Sequence, residues 1–316
     1  MKLRNALGVA IGTFGATALA NRLLSARGDG FEQFLAGDER DYRWRGFDAP
    51  YVEAGDPADQ DLVLLHGINA AASNHEFHAV FDELAEEYHV LAPDLPGFGH
   101  ADRPPLMYSA SLLTSFVTDF LREETESPTV VASSLTASYA AAAAKEVPID
   151  EFVLVCPTDE TMSQRGWLRT LIRTPVLGQA LFNAIVSKRS LKRFHRDHGY
   201  ENMANLTPDV LAYEWQTSHQ PGARFAPASF VSGALDPEAS LTNVLADVEA
   251  PTTLVWGREA EITPLEKGQA LASAVDARLV VFDDAKLLPH VEHPAQFVDV
   301  VRGAYNPQVE AAPQLS

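Results

Sequence analysis

Residues 128–142, PTVVASSLTASYAAA, constrain this chain more than any other stretch. The run opens with Thr129, Val130 and Val131, residues that favour a strand, and passes through Ser133 and Ser134. It continues in an alanine-rich segment that suits a helix. Where a strand turns sharply into a helix the two backbones almost touch, so small residues are needed two before and two after the corner. Ala132 and Thr136 hold those positions around Ser134, and Ala137 follows. Glycine is the more usual occupant, so Ala132-Ser133-Ser134-Leu135-Thr136 stands where G-x-S-x-G would be.

The rest of the chain alternates around this turn. Short strand-like pieces lie between residues 41 and 55, and residues 61–65 (DLVLL) read as a buried strand ending in His66-Gly67. Residues 76–88 read as an amphipathic helix with Phe77, Val80, Phe81 and Leu84 on one face. A strand at 89–92, a helix at 109–124, the serine turn and a strand at 151–156 follow. Residues 158–250 read as helical throughout, after which strands at 252–256 and 278–282 alternate with helices near 265–275 and 292–301. The pattern predicts an α/β fold: a mostly parallel sheet flanked by helices, with a helical insertion over one end. The expected division is an N-terminal apolar helix (1–27), a first core part (28–157), a lid (158–250), a second core part (251–304) and a tail (305–316). Within the first core part, residues 28–41 read as a polar linker.

Composition narrows the partners. The chain has 316 residues and a net charge of −19, and 6 of its 24 basic residues are Lys. That balance argues against nucleic acid and anionic membranes as partners, and it resembles proteins kept soluble in concentrated salt. The one cysteine, Cys156, rules out an internal disulfide and a cysteine metal cluster. It sits in an apolar run as a core residue. Residues 6–20 carry no charge, behind Lys2 and Arg4. As a helix that run would reach about 22 Å, short of a ~30 Å bilayer core. A signal peptide, a weak membrane anchor and a helix lying on the domain are the three readings, and the chain is expected to be cytoplasmic or membrane-associated through residues 6–20. No dinucleotide or P-loop fingerprint occurs, so no nucleotide cofactor is expected. The histidines lack metal spacing, so no metal is expected either.

Five blocks, in order, resemble the lid-bearing serine hydrolases of the α/β-hydrolase fold family. LVLLHG (62–67) is similar to the strand leading to the oxyanion loop, and VLAPDLPGFGHADRP (90–104) to the strand and turn after the first helix. VVASSLTA (130–137) stands at the nucleophile elbow, LVWGREAEITPLEKG (254–268) at the acid-bearing strand, and ARLVVFDDAKLLPHVEHPAQF (277–297) at the histidine-bearing loop. The resemblance implies hydrolysis of an ester-like, largely apolar small molecule, without cofactor, by a Ser–His–acid triad. It makes Ser134 the nucleophile and assigns the two oxyanion N–H donors to Ile68 and Leu135.

Two family positions depart from the pattern. The acid position holds Ala260, with Pro264 still in register, and the histidine position holds Leu287, before Leu288-Pro289. His290, one helical turn further on, is the candidate substitute base. Asp159 is the candidate substitute acid, with Glu259 and Glu261 beside the lost site. His75 and His78 read as surface or pocket lining, and His195, His198 and His219 lie in the lid segment. Trp167, Phe182, Tyr200, Trp215 and Phe225 are expected to shape a pocket between sheet and lid or to pack it. The alternative is a non-catalytic relative that binds a small apolar ligand or a protein partner.

Overall fold

The structure, a computed structural model, describes residues 17–24, 32–161 and 164–305. Its first element is helix α1 (17–24). Strands β1 (Asp38–Arg40), β2 (Arg43–Trp44), β3 (Phe47–Asp48), β4 (Tyr51–Ala54) and β5 (Asp61–Leu65) follow. Then come α2 (Phe81–Leu84), β6 (His89–Pro93), α3 (Ala110–Glu124), β7 (Thr129–Ser133), α4 (Thr136–Ala143) and β8 (Glu151–Val155). Helices α5 (Gly166–Arg173), α6 (Leu177–Ile185), α7 (Lys188–Phe194), α8 (Pro208–Ser218), α9 (Phe225–Phe230) and α10 (Leu241–Ala246) separate β8 from β9 (Thr252–Gly257). The fold closes with α11 (Leu265–Val275), β10 (Arg278–Phe282), α12 (Pro289–Glu292) and α13 (Pro294–Val301).

Eight strands form one sheet in the order β1-β4-β6-β5-β7-β8-β9-β10. The pairs β1/β4 and β4/β6 are antiparallel, and every pair from β6 to β10 is parallel. Side chains alternate across the pleat. Val63, Leu65, Val130, Ala132, Phe152 and Leu154 face α3, α4, α10 and α11, while Leu62, Leu64, Val131, Val153 and Val155 face α2 and α13. Both faces are therefore apolar, which is why the central strands read as continuous hydrophobic runs.

Two expectations change. The residues read as a helix at 76–88 form a 3-10 turn (Asn74–Phe77) and the single turn of α2. Glu76 does not face solvent there: it turns inward and is buried. The polar linker contains β1, a sheet edge whose three residues are exposed, so no apolar alternation betrays it. Residues 306–316 and 1–16 lie outside the described residues. Helix α1 lies on the lid segment, where Asn21 donates to the Val176 carbonyl (2.9 Å) and accepts from the Asn183 amide (3.1 Å).

Candidate active site

The serine turn is built as the small residues require. Ser134 stands between β7 and α4 at φ 54°, in the left-handed region that costs an L-residue about 1–3 kcal/mol. The neighbouring strand end holds it there: Ser134 N–H donates to the Val155 carbonyl (2.9 Å), and the Ser134 carbonyl accepts from Thr158 N–H (3.2 Å). Ala132 and Thr136 are fully buried. The Thr136 hydroxyl donates to the His66 carbonyl (2.7 Å), tying the start of α4 to the loop after β5.

His66 fixes that loop. Its Nε2 accepts from Leu95 N–H (3.1 Å), so Nδ1 carries the proton and donates to the Gly67 carbonyl (2.8 Å). Burial lowers its pKa, which keeps the ring neutral. A side chain at Gly67 would be tightly crowded. A Cβ there would lie 3.2 Å from Ser133 Oγ, 3.3 Å from Glu76 Oε2 and 3.3 Å from Ser134 Cβ. The elbow and the Glu76 carboxylate thus both crowd one glycine. Glu76 Oε2 accepts from Gly67 N–H (2.9 Å), and the nearby Ser133 hydroxyl favours the charged carboxylate. Burial pushes the Glu76 carboxyl above the usual range, against the pull of those donors.

The substituted family positions lie together. Ala260 and Leu287 pack in one apolar cluster with Cys156, Trp256, Leu265 and Leu279. Gly257 locks the register, since a Cβ on it would sit 1.9 Å from the Lys286 carbonyl. Lys286 reaches away to the Arg196 carbonyl (3.0 Å) and the Glu201 carboxylate (3.2 Å).

The two candidate substitutes, His290 and Asp159, take separate places. His290 is fully buried between Phe77 and Phe297, with ring centroids 5.3 and 5.5 Å away, and its Nε2 lies 3.6 Å from Glu76 Oε1. Its ring neighbours, Phe77 and Phe297, belong to the α2/α13 side of the sheet. Burial, helped by the nearby His78, drives its pKa down to about 3, so it is a feeble proton acceptor. Asp159 accepts from Leu241 N–H (2.7 Å) at the start of α10. Glu259 and Glu261 line an outward-facing concavity with Arg258 and Lys286.

A polar network joins core and lid. His195 Nε2 contacts both Glu214 oxygens (2.7 and 2.9 Å), and His75 Nε2 lies 3.6 Å from the same carboxylate. His75 Nδ1 meets the Ser73 hydroxyl at 2.7 Å. Burial pushes Glu214 up, but the hydrogen bond and charge of His195, with those of His75, outweigh it and hold the carboxyl at about 2. His75 is thus buried rather than on the surface. Glu76 and Glu214 were not singled out in the sequence. An isolated Glu beside apolar positions carries no local sign of burial, and the signal lies in contacts across the fold.

The aromatic residues expected to line a pocket divide. Phe182 and Tyr200 are buried, Tyr200 stacking on His195 at 4.9 Å. Trp215 stacks on His219 at 4.3 Å, and Arg173 and Arg224 lie over the Phe225 ring. Trp167 is 65% exposed and points to solvent. Among the described residues no group of three His, Cys, Asp or Glu side chains is placed to hold a metal ion.

This sheet order and elbow define an α/β hydrolase. A model of the alpha/beta hydrolase family matches residues 62–300, and the chain belongs to that family. Relatives include the pimeloyl-[acyl-carrier protein] methyl ester esterase of Aeromonas hydrophila, 27% identical over 76% of this chain and 93% of the relative. The 2-hydroxymuconate semialdehyde hydrolase of Pseudomonas sp. is 27% identical over 79% and 88%. Among solved structures, the meta-cleavage product hydrolase of Pseudomonas fluorescens superposes with a TM-score of 0.68 at 21% identity, covering 86% of this chain and 98% of that one.

Proposed function

We propose that the protein hydrolyses a small, largely apolar, ester-like compound, with Ser134 as nucleophile and Glu76 as the group that takes its proton. One observation carries this reading: the strained Ser134 corner and the buried Glu76 carboxylate both lie against Gly67. In this reading the Ser134 oxygen attacks the carbonyl carbon while its proton passes through the Ser133 hydroxyl to Glu76. The protonated Glu76 returns the proton to the leaving alcohol as the ester C–O bond breaks. Water, deprotonated by the same carboxylate, then attacks the acyl-serine, and Glu76 returns that proton to the Ser134 oxygen as the acyl C–O bond breaks and the acid leaves. The Ile68 and Leu135 N–H groups flank the carbonyl oxygen. The raised Glu76 carboxyl suits the task, because a base with a pKa nearer the working pH is the better acceptor. Esterases and other hydrolases among the relatives support the reaction class.

An activated-phosphonate probe on the full chain tests this reading, together with turnover of an aryl ester. Labelling should disappear in Ser134→Ala, and Glu76→Gln should lower turnover by about 10²-fold at unchanged melting temperature. A folded protein that takes no label rejects the reading. One observation favours the second reading, a non-catalytic relative that binds a small apolar ligand: hydrocarbon fills the Ala260 and Leu287 positions. Under that reading a ligand raises the melting temperature and Ser134 stays unlabelled.

A further inference from the structure

Charge is not spread evenly along this acidic chain. Residues 161–196 contain eight Lys and Arg and no Asp or Glu, in a protein of net charge −19. The segment folds as α5, α6 and α7, the outer helices of the lid segment, with α5 packed on α6 and α6 on α7. Their apolar sides turn inward: Ile172, Phe182 and Val186 form a small core with Ala223 and Ala228, and Leu191 of α7 is buried.

The outward side is apolar as well. Trp167 and Leu171 on α5, and Leu177 and Ile185 on α6, are exposed, Trp167 at 65% and Leu177 at 53%. Asn21 anchors α1 to α6, and the exposed Leu19 and Leu23 extend the same surface. Single exposed leucines are ordinary, but six large exposed apolar side chains on α1, α5 and α6, with α1 bonded to α6 and α5 packed on it, make a patch.

A basic ledge borders it. Lys188, Arg189, Lys192, Arg193 and Arg196 line a shallow concavity with Leu211. Arg193 pairs with Asp197 (3.3 Å). Among the described residues no carboxylate lies within ion-pair distance of Lys188, Arg189, Lys192 or Arg196. Four cations beside an apolar ridge match an anionic headgroup layer with acyl chains beneath it. No described helix is long and apolar enough to cross a membrane.

We infer that the α1/α5/α6/α7 face of this protein docks on an anionic lipid bilayer, lying in the interface without crossing it. Trp167, Leu171, Leu177 and Ile185 enter the acyl boundary, while the α7 cations meet lipid phosphates. The whole-chain charge, which argues against anionic membranes, is an average that hides this face. Pairing of two copies through the same face is disfavoured, because it would set each basic ledge against its own counterpart. The inference does not depend on catalysis at Ser134.

Co-sedimentation of the full chain with vesicles tests it, using phosphatidylcholine alone or mixed with phosphatidylglycerol. Binding to the mixed vesicles should exceed binding to phosphatidylcholine by about tenfold at low salt. The pair Trp167→Ser with Leu177→Ser, and separately Arg189→Gln with Lys192→Gln, should each weaken it by about tenfold with circular dichroism unchanged. Failure of the folded chain to bind anionic vesicles overturns the inference. So does binding that neither pair alters, which would assign the membrane contact to residues 1–16. A concentration-dependent dimer lost in the same variants, with no vesicle binding, would show that the face serves a second copy instead.

Discussion

Ala260 and Leu287, where the family's acid and histidine would stand, belong to one apolar cluster with Trp256 and Cys156. Their loss was legible in the sequence because the flanking glycine, prolines and strands kept their spacing. The buried carboxylate beside Gly67 was not legible. Glu76 sits in a run whose apolar spacing suggests a surface helix, and only the 3-10 turn swings its carboxylate onto Gly67 N–H. His290 was visible as a nearby histidine, but its spacing from Leu287 gives a distance along the chain and no direction. In the fold it points into the Phe77/Phe297 layer. These placements make a restoration experiment informative. Ala260→Asp combined with Leu287→His should raise aryl ester turnover by at least about 10²-fold over the natural chain, and Leu287→His alone by less. A well-folded double variant with no gain would mean that the loops no longer present these positions to Ser134.

At the scale of elements, the parallel strands were legible because burial on both faces makes each one a short apolar run between turn residues. The exposed edge strand β1 was not, and neither was the way the lid segment is fastened. That fastening is polar and long-range. Glu214 on α8 holds His195 in the lid segment and approaches His75 in the core. Arg103, its pKa lowered to about 10 by burial, donates from the core to the Thr217 hydroxyl on α8 (3.3 Å). The Glu214 carboxyl titrates near 2 in the folded chain against 4.5 when free, so protons bind the unfolded state first. Its contribution is therefore present above pH 4.5 and is lost as pH falls from there toward 2. Replacing Glu214 by Gln should cost about 1–3 kcal/mol near neutral pH. The gap in melting temperature between the two proteins should then close as the solution is acidified through that window. A gap that stays constant from neutral pH to pH 3 would mean that Glu214 contributes packing and not charge.

Over the whole molecule, the sequence reports a charge and the fold distributes it. The net −19 draws on carboxylates such as Glu83, Glu86 and Glu87 around α2 and Glu123, Glu124 and Glu126 around the end of α3, while residues 161–196 carry eight of the 24 cations and no carboxylate. Like charges crowded on a compact body repel one another, and unfolding spreads them apart, so the repulsion acts against the fold. Added salt shortens its range from about 10 Å at 0.1 M to about 3 Å at 1 M. The melting temperature should therefore rise with sodium chloride at neutral pH, by about 2–4 °C for each kcal/mol of repulsion removed. It should level off near molar salt, where screening is complete. Calorimetry across a chloride series checks this, and a melting temperature that does not move with salt would show that the carboxylates are too dispersed to matter. Attachment of the basic lid face to anionic vesicles depends on attraction and must move the other way, weakening over the salt range in which the fold strengthens. Opposite salt slopes from one chain require that the two signs of charge occupy separate faces. If binding and stability instead rose together, attachment would rest on the apolar ridge alone, and the α7 cations would have no part in it.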